Sequence, residues 1–180
     1  MAAVVECITE CGYHAATASE IARRSGLTWG AVQHHFGDKD GILAAVLEDS
    51  FSRFTETLAE APTAGALEER VNGFVRCAWR HFGSPHYRTT FSILVNLRGD
   101  PQSPWQERLL SAWTDVWRRA FPESRLREGR TRSLMLYALS VLTGLAGLQA
   151  LNRAPLGPLE TELRWLEDTM LREIGGRREA

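Results

Sequence analysis

The stretch Thr17-Ala18-Ser19-Glu20-Ile21-Ala22-Arg23-Arg24-Ser25-Gly26-Leu27-Thr28-Trp29-Gly30-Ala31-Val32-Gln33-His34-His35-Phe36 reads as two short helices joined by a turn. Thr17 opens the first, because its hydroxyl can accept from a backbone N–H three residues on while Glu20 stands at the reciprocal position of a capping box. Gly26 ends that helix in the usual way. Thr28 caps the second, which runs to about His35 before the Phe36-Gly37-Asp38 break. Two short helices around a glycine turn form a helix-turn-helix, in which the second helix lies in the major groove of DNA and the first braces it across the backbone.

Ile21 and Ala22 on the first helix, Leu27 in the turn, and Val32 and Phe36 on the second are expected to supply the apolar contacts that fix the angle between them. Subtracting that set leaves Thr28, Trp29, Gln33 and His34 as the outward face. Gln33 suits adenine N6 and N7, His34 can reach a base or a phosphate, and Thr28 can bond a phosphate or touch a thymine methyl. Lys39, with the free N–H groups at the start of the next helix, is expected to clamp a phosphate, and Thr17 to do the same at the start of the first. His34 and His35 are not a metal pair, since adjacent helical positions point about 100° apart.

Outward from this motif the apolar residues recur at three- and four-residue spacings, with no sustained alternation of period two, so the fold is expected to be all-α with about nine helices. One helix precedes the motif, about Ala2 to Cys11, ending at Gly12. Asp38 caps a long helix through Ile42, Val46, Phe51 and Leu58 that stops before Pro62. Five more follow at about 65 to 83, 85 to 98, 103 to 121, 128 to 153 and 158 to 175, broken by Gly83-Ser-Pro, the run from Gly99 to Pro104, Pro122, and the run from Ala154 to Pro158. The division is a DNA-binding domain over 1–47 and a helical effector-binding and dimerisation domain over 48–180. Only Gly175 to Ala180 reads as a frayed tail.

Composition narrows the class. The 180 residues are 44% hydrophobic and 24% charged, which is ordinary globular content rather than that of a disordered chain. The longest apolar run, near Leu134 to Leu151, is interrupted by Ser140, Thr143 and Gln149 and is not expected to span a membrane. The start lacks a basic region and carries Glu6 and Glu10, so no signal peptide is expected and the protein is placed in the cytoplasm. The net charge of −1 excludes a protein that coats nucleic acid by bulk electrostatics. Residues 1–50 hold three basic groups against seven acidic ones, so the few cations must face the phosphates while the carboxylates face away.

The composite Gly12-Tyr13, Thr17-Ala-Ser-Glu-Ile-Ala22, Ser25-Gly-Leu-Thr28, Gly30-Ala-Val-Gln-His-His-Phe36, Gly37-Asp-Lys39 and Ile42-Leu43 resembles the N-terminal domain of the TetR/AcrR family of one-component regulators, over about residues 3 to 47. The resemblance implies a homodimer whose recognition helices enter successive major grooves of a palindromic operator. It also implies a divergent C-terminal domain whose ligand pocket controls their separation, with repression relieved by a small, largely apolar effector. Two departures stand out. The family usually has Tyr where this chain has Gln33, a phosphate-contacting position. The family's first helix is also preceded by a basic arm, so a longer natural N-terminus is expected.

The C-terminal half is rich in rings: Phe74, Trp79, Phe82, Phe91, Trp105, Trp113, Trp117, Phe121 and Tyr137. Most rings at helical spacing are core. A cluster of nine can also leave a gap for a flat or greasy ligand, with Trp79, Phe91, Trp113, Trp117 and Tyr137 as walls and Cys77, His81, Asn96 and Thr143 to orient it. Cys77 and His81 have the spacing of paired metal ligands, but no third or fourth ligand is evident, and no metal or cofactor is expected. Cys7 and Cys11 share that spacing, and all three cysteines read as small reduced core residues.

Leu159, Leu163, Leu166, Met170 and Ile174 form one apolar stripe, and Leu134, Ala138, Leu142, Leu145 and Gly147 a second. Two such hairpins are expected to build an intermolecular four-helix bundle. An alternative is a regulator with no small-molecule effector, governed by a protein partner. An enzyme finds no support: no glycine-rich phosphate loop and no nucleophile with a credible base and orienting group is present.

Overall fold

The computed structural model describes residues 2–96, 104–122, 128–151 and 157–176, and among these every regular element is helical. In chain order they are α1 (Ala2–Cys11), α2 (Ala18–Ser25), α3 (Trp29–Phe36), α4 (Lys39–Ala59), α5 (Leu67–Phe82), α6 (Pro85–Asn96), α7 (Pro104–Ala120), α8 (Glu128–Leu151) and α9 (Glu160–Ile174). The expected helix ends near 98, 103 and 153, most of the breaks after Gly99 and Ala154, and the end of the tail lie outside the described residues. So do the side chains of Trp105 and Cys11.

The short helices are set by their caps. Thr17 and Thr28 sit in extended backbone, and their hydroxyls accept from Glu20 and Ala31 N–H at 3.2 Å. The reciprocal half of the expected capping box is not formed, because the Glu20 carboxylate is taken by two arginines instead. Gly26, at φ 69° in the left-handed region, lets the chain turn back so that Leu27 N–H donates to Ala22 O at 3.1 Å.

Two apolar cores result. The N-terminal one gathers Val4, Cys7, Ile8, Ala16, Ile21, Ala22, Val32 and the first half of α4. The C-terminal one is built on aromatic contacts, with Phe54 stacked on Trp113 at 5.3 Å and Phe74 edge-on to Trp113, Trp117 and Phe121. Edge-to-face rings of this kind add stabilisation beyond their buried area. The guanidinium of buried Arg70 donates to Ala120 O at 2.6 Å, so the C-terminal end of α7 accepts a cation where the helix dipole favours one.

Two helices belong to both cores. On α4 the buried residues pass from Ile42, Leu43, Val46 and Leu47 in the first core to Phe54 and Leu58 in the second, so position 47 lies inside a continuous helix. On α6, Ile93 is fully buried in the N-terminal core, whereas Phe91 packs against the C-terminal one. Phe91 fits there because α8 has Gly147: a Cβ at that position would come within 2.7 Å of the ring.

Beyond Ser133 helix α8 carries apolar residues on its outer as well as its inner side and, by length and composition alone, could cross a membrane. In the fold it packs against α5, α6, α7 and α9. Leu145, Leu159 and Leu163 are half-buried, and Gly147 is buried under Phe91. The α8 stripe Leu134, Ala138 and Leu142, and the α9 stripe Leu166, Met170 and Ile174, are buried in this chain's own core. A side chain already removed from water within one protomer has no area left to bury against another, so these last six cannot form the interface expected of them.

Candidate nucleic-acid interface

The helix-turn-helix angle is fixed by Ile21, Ala22 and Val32, all buried in the N-terminal core, with Phe36 half-buried beside them. Leu27 departs from expectation. It is 52% exposed, because the turn carries it to the outside of the motif, next to Thr28 and Trp29. Trp29 is 39% exposed, and Gly30, Ala31, Gln33, His34 and His35 are exposed with it. Of these, His35 is set edge-on to Phe36 at 4.5 Å. The outward face of α3 therefore holds all of Thr28, Trp29, Gln33 and His34, and Leu27 enlarges it.

Each threonine cap accepts through its oxygen and so keeps its O–H proton for an outside acceptor such as a phosphate. Lys39 is the first residue of α4, behind the N-cap Asp38, whose carboxylate accepts from Gly41 N–H at 2.9 Å. The lysine is not free-standing: its ammonium donates to the Tyr13 carbonyl at 3.0 Å and lies over the Tyr13 ring. Twenty-six residues separate the two, and nothing in the sequence pairs them.

The other two cations of the first fifty residues are also engaged. Arg23 makes two bonds to Glu20, at 2.7 and 2.9 Å, and Arg24 one at 2.8 Å while also pairing with Glu10. The guanidinium of Arg23, then that of Arg24, holds the Glu20 carboxyl down to about 2. The contacts of Glu20 were open to sequence reasoning, since three and four residues are the spacings at which helical side chains meet, whereas Glu10 lies fourteen residues from Arg24.

The residues nominated for an effector do not gather into one site. Trp113, Trp117 and His81 lie in the aromatic core, and both indole N–H groups are buried without a hydrogen-bond partner among the described residues. His81 is packed edge-on among Phe54, Phe82 and Tyr87, and burial pushes its imidazole down to about 4, so it is neutral at physiological pH. Cys77 accepts from Arg80 at 3.4 Å, and half-buried Trp79 flanks the core. Phe91 fills the notch at Gly147, Asn96 donates to Ser92 O, and Thr143 donates to Leu139 O. Tyr137 stands apart, 46% exposed on the outer side of α8. No group of three or more candidate metal ligands occurs among the described residues.

Comparison with known proteins adds an independent line. Residues 1–46 match the model of the bacterial regulatory proteins of the tetR family. Over 173 residues the chain is 30% identical to the HTH-type transcriptional regulator BetI of Escherichia coli (strain K12), covering 86% of this chain and 82% of that one. Among solved structures it resembles the TetR family transcriptional regulator PfmR from Thermus thermophilus, with a TM-score of 0.68 at 19% identity over 97% of this chain and 94% of that one. A transcriptional regulator from Rhodococcus sp. Rha1 superposes with a TM-score of 0.73 at 21% identity, over 94% and 92% of the two chains. At such identities the structural likeness concerns the fold.

Proposed function

The chain belongs to the TetR family of bacterial transcriptional regulators, and from that premise we propose that it is a cytoplasmic, ligand-responsive repressor that binds a palindromic operator as a homodimer. The observation that carries the DNA-binding part is the outward face of α3, capped by Thr28 and presenting Gln33 and His34 while Val32 holds the helix down. Thr17 and Lys39 flank it as phosphate contacts.

The dimer reading rests on α8. Beyond Ser133 this helix is apolar on both its inner and outer sides, and both need cover. Its inner side has the aromatic core, while Leu136, Tyr137, Ser140, Gly144 and Leu148 are exposed along the other. On α9, Trp165 is 63% exposed. A two-fold axis beside these residues buries both surfaces and replaces the interface first expected of Leu134 and Leu166.

Repression and its release are a matter of linkage. Operator DNA favours one separation of the two recognition helices and the effector another, so each weakens the other's binding by the same factor. Helix α6 is the mechanical tie, packed against α1 and α4 with Ile93 in the N-terminal core and with Phe91 in the notch of α8. The effector would be small and largely apolar, admitted among Phe74, Trp113 and Trp117, whose indole N–H groups offer two donors to an acceptor on it.

One observation favours control by a protein partner instead. Two of the surface clefts among the described residues, one at Thr55, Asp115 and Arg118 and the other at Trp165, Asp168 and Arg172, lie away from the residues nominated for an effector and are open to a partner's side chains. A thermal-shift screen of metabolites separates the two: a ligand that raises Tm and releases DNA supports the effector. The central test is selection of a randomised DNA library on the purified protein. A two-fold symmetric consensus supports the dimeric regulator, and enrichment of nothing beyond random sequence overturns it.

A further inference from the structure

Helix α3, Trp29–Phe36, contains no arginine and no lysine. The commonest specific protein–DNA contact is an arginine or lysine on guanine O6 and N7. Here that contact is missing from the recognition helix, and the two arginines of α2 are held by Glu20. What the face offers instead is one carboxamide, two imidazoles, and an unusual amount of apolar surface: Leu27, Trp29 and Ala31 are all exposed. In the major groove only thymine presents an apolar group, its C5-methyl, and only adenine matches a carboxamide through N6 and N7. Trp29 and Gln33 are four residues apart and thus share one side of the helix, so they address neighbouring base pairs.

We propose that Leu27 and Trp29 are specificity-determining residues that select the operator through thymine methyl groups, beside an adenine read by Gln33. The inference rests on the DNA-binding reading above and deepens it. Leu27 and Trp29 are open to water in the free protein, and packing a methyl against them removes apolar surface on both sides. Each half-site therefore carries A·T pairs under the start of α3, and guanine is not the base that anchors it.

The test uses the full chain and the operator obtained by selection. Each thymine is replaced in turn by deoxyuridine, which removes the methyl and leaves every hydrogen-bonding group in place. The expected result is a loss of about threefold to fourfold at one or two positions in each half-site, the equivalent of ~0.8 kcal/mol for a buried methyl at tenfold per 1.4 kcal/mol. Leu27→Ala and Trp29→Ala are expected to bind the thymine and deoxyuridine operators alike at those positions. Both residues are exposed, so the core is spared, and the nucleotide replacement needs no altered protein. Indifference to deoxyuridine at every position, or guanine-anchored half-sites, would overturn the proposal while leaving the regulator reading intact. Failure to enrich any sequence would overturn both.

Discussion

The Lys39 ammonium lies 4.5 Å from the centroid of the Tyr13 ring and donates to the carbonyl of the same residue at 3.0 Å. An ammonium has three donors, so this anchorage positions the charge and still leaves N–H groups for a phosphate. Lys39→Met is expected to weaken binding to operator and to random DNA by the same factor, and to reduce the salt slope of binding by about 1. Tyr13→Phe keeps the ring and the effect is small, whereas Tyr13→Leu falls between. Titrations on both DNAs at several salt concentrations check this, and a loss confined to the operator contradicts the phosphate role.

Glu20 occupies both guanidinium groups of α2. Its carboxyl is held at about 2, so the network persists through the whole physiological range. Glu20→Gln removes the carboxylate that holds Arg23 and one of the two that hold Arg24, which keeps its pair with Glu10, and takes one negative charge from an acidic domain. Tighter binding to random DNA at low salt is the expected outcome, read by fluorescence anisotropy. Unchanged affinity would place Arg23 and Arg24 away from the DNA.

The neutral His81 makes stability depend on pH in a definite sense. Its folded-state pKa, about 4, lies below the ordinary histidine value of 6.5, so the unfolded chain binds the proton more readily. The full contribution is present above pH 6.5 and is lost as pH falls from there towards 4, by up to about 3 kcal/mol. Urea denaturation between about pH 4 and 7 measures the slope. His81→Phe, placed among Phe54, Phe82 and Tyr87, is expected to flatten it.

Gly147→Ala would push a methyl group into Phe91, and overpacking of this kind costs about 1–3 kcal/mol. Phe91→Leu in the same background should recover part of the loss. A double-mutant cycle on denaturation midpoints is expected to give a coupling of about 0.5–3 kcal/mol, and additivity would mean that the contact is absent. Because α6 also carries Ile93, operator affinity should fall with Gly147→Ala and recover with the second substitution.

Much of this was legible in the order of residues. Thr17, Gly26, Thr28 and Asp38 act on backbone groups within a few positions of themselves, so their caps and the helices they bound can be read locally. Gln33 and His34 follow by subtracting a buried set that Val32 fixes. Partners distant in sequence were not legible: Tyr13 under Lys39, Phe91 in the notch of Gly147, and Ile93 in the first core have no periodic signature. The apolar stripes of α8 and α9 misled for a related reason. Periodicity identifies a face that avoids water, and for Leu142 and Met170 the cover is Phe74 and its neighbours, not a second chain. Leu27 differs again, since its outward place depends on the path of one turn.

Ile93 reaches the N-terminal core from α6, far along the chain from Leu47, the last residue that α4 gives to that core. The reader of DNA is consequently not a detachable cassette. Cut at residue 47, it would keep its caps and its outward face but lose one fully buried member of its core, and a graft onto another regulator's body would inherit whatever side chain that body offers at the same place. Exchange of operator preference between relatives should therefore succeed by transplanting the surface of α3 alone, and fail when the whole unit is moved without its borrowed isoleucine.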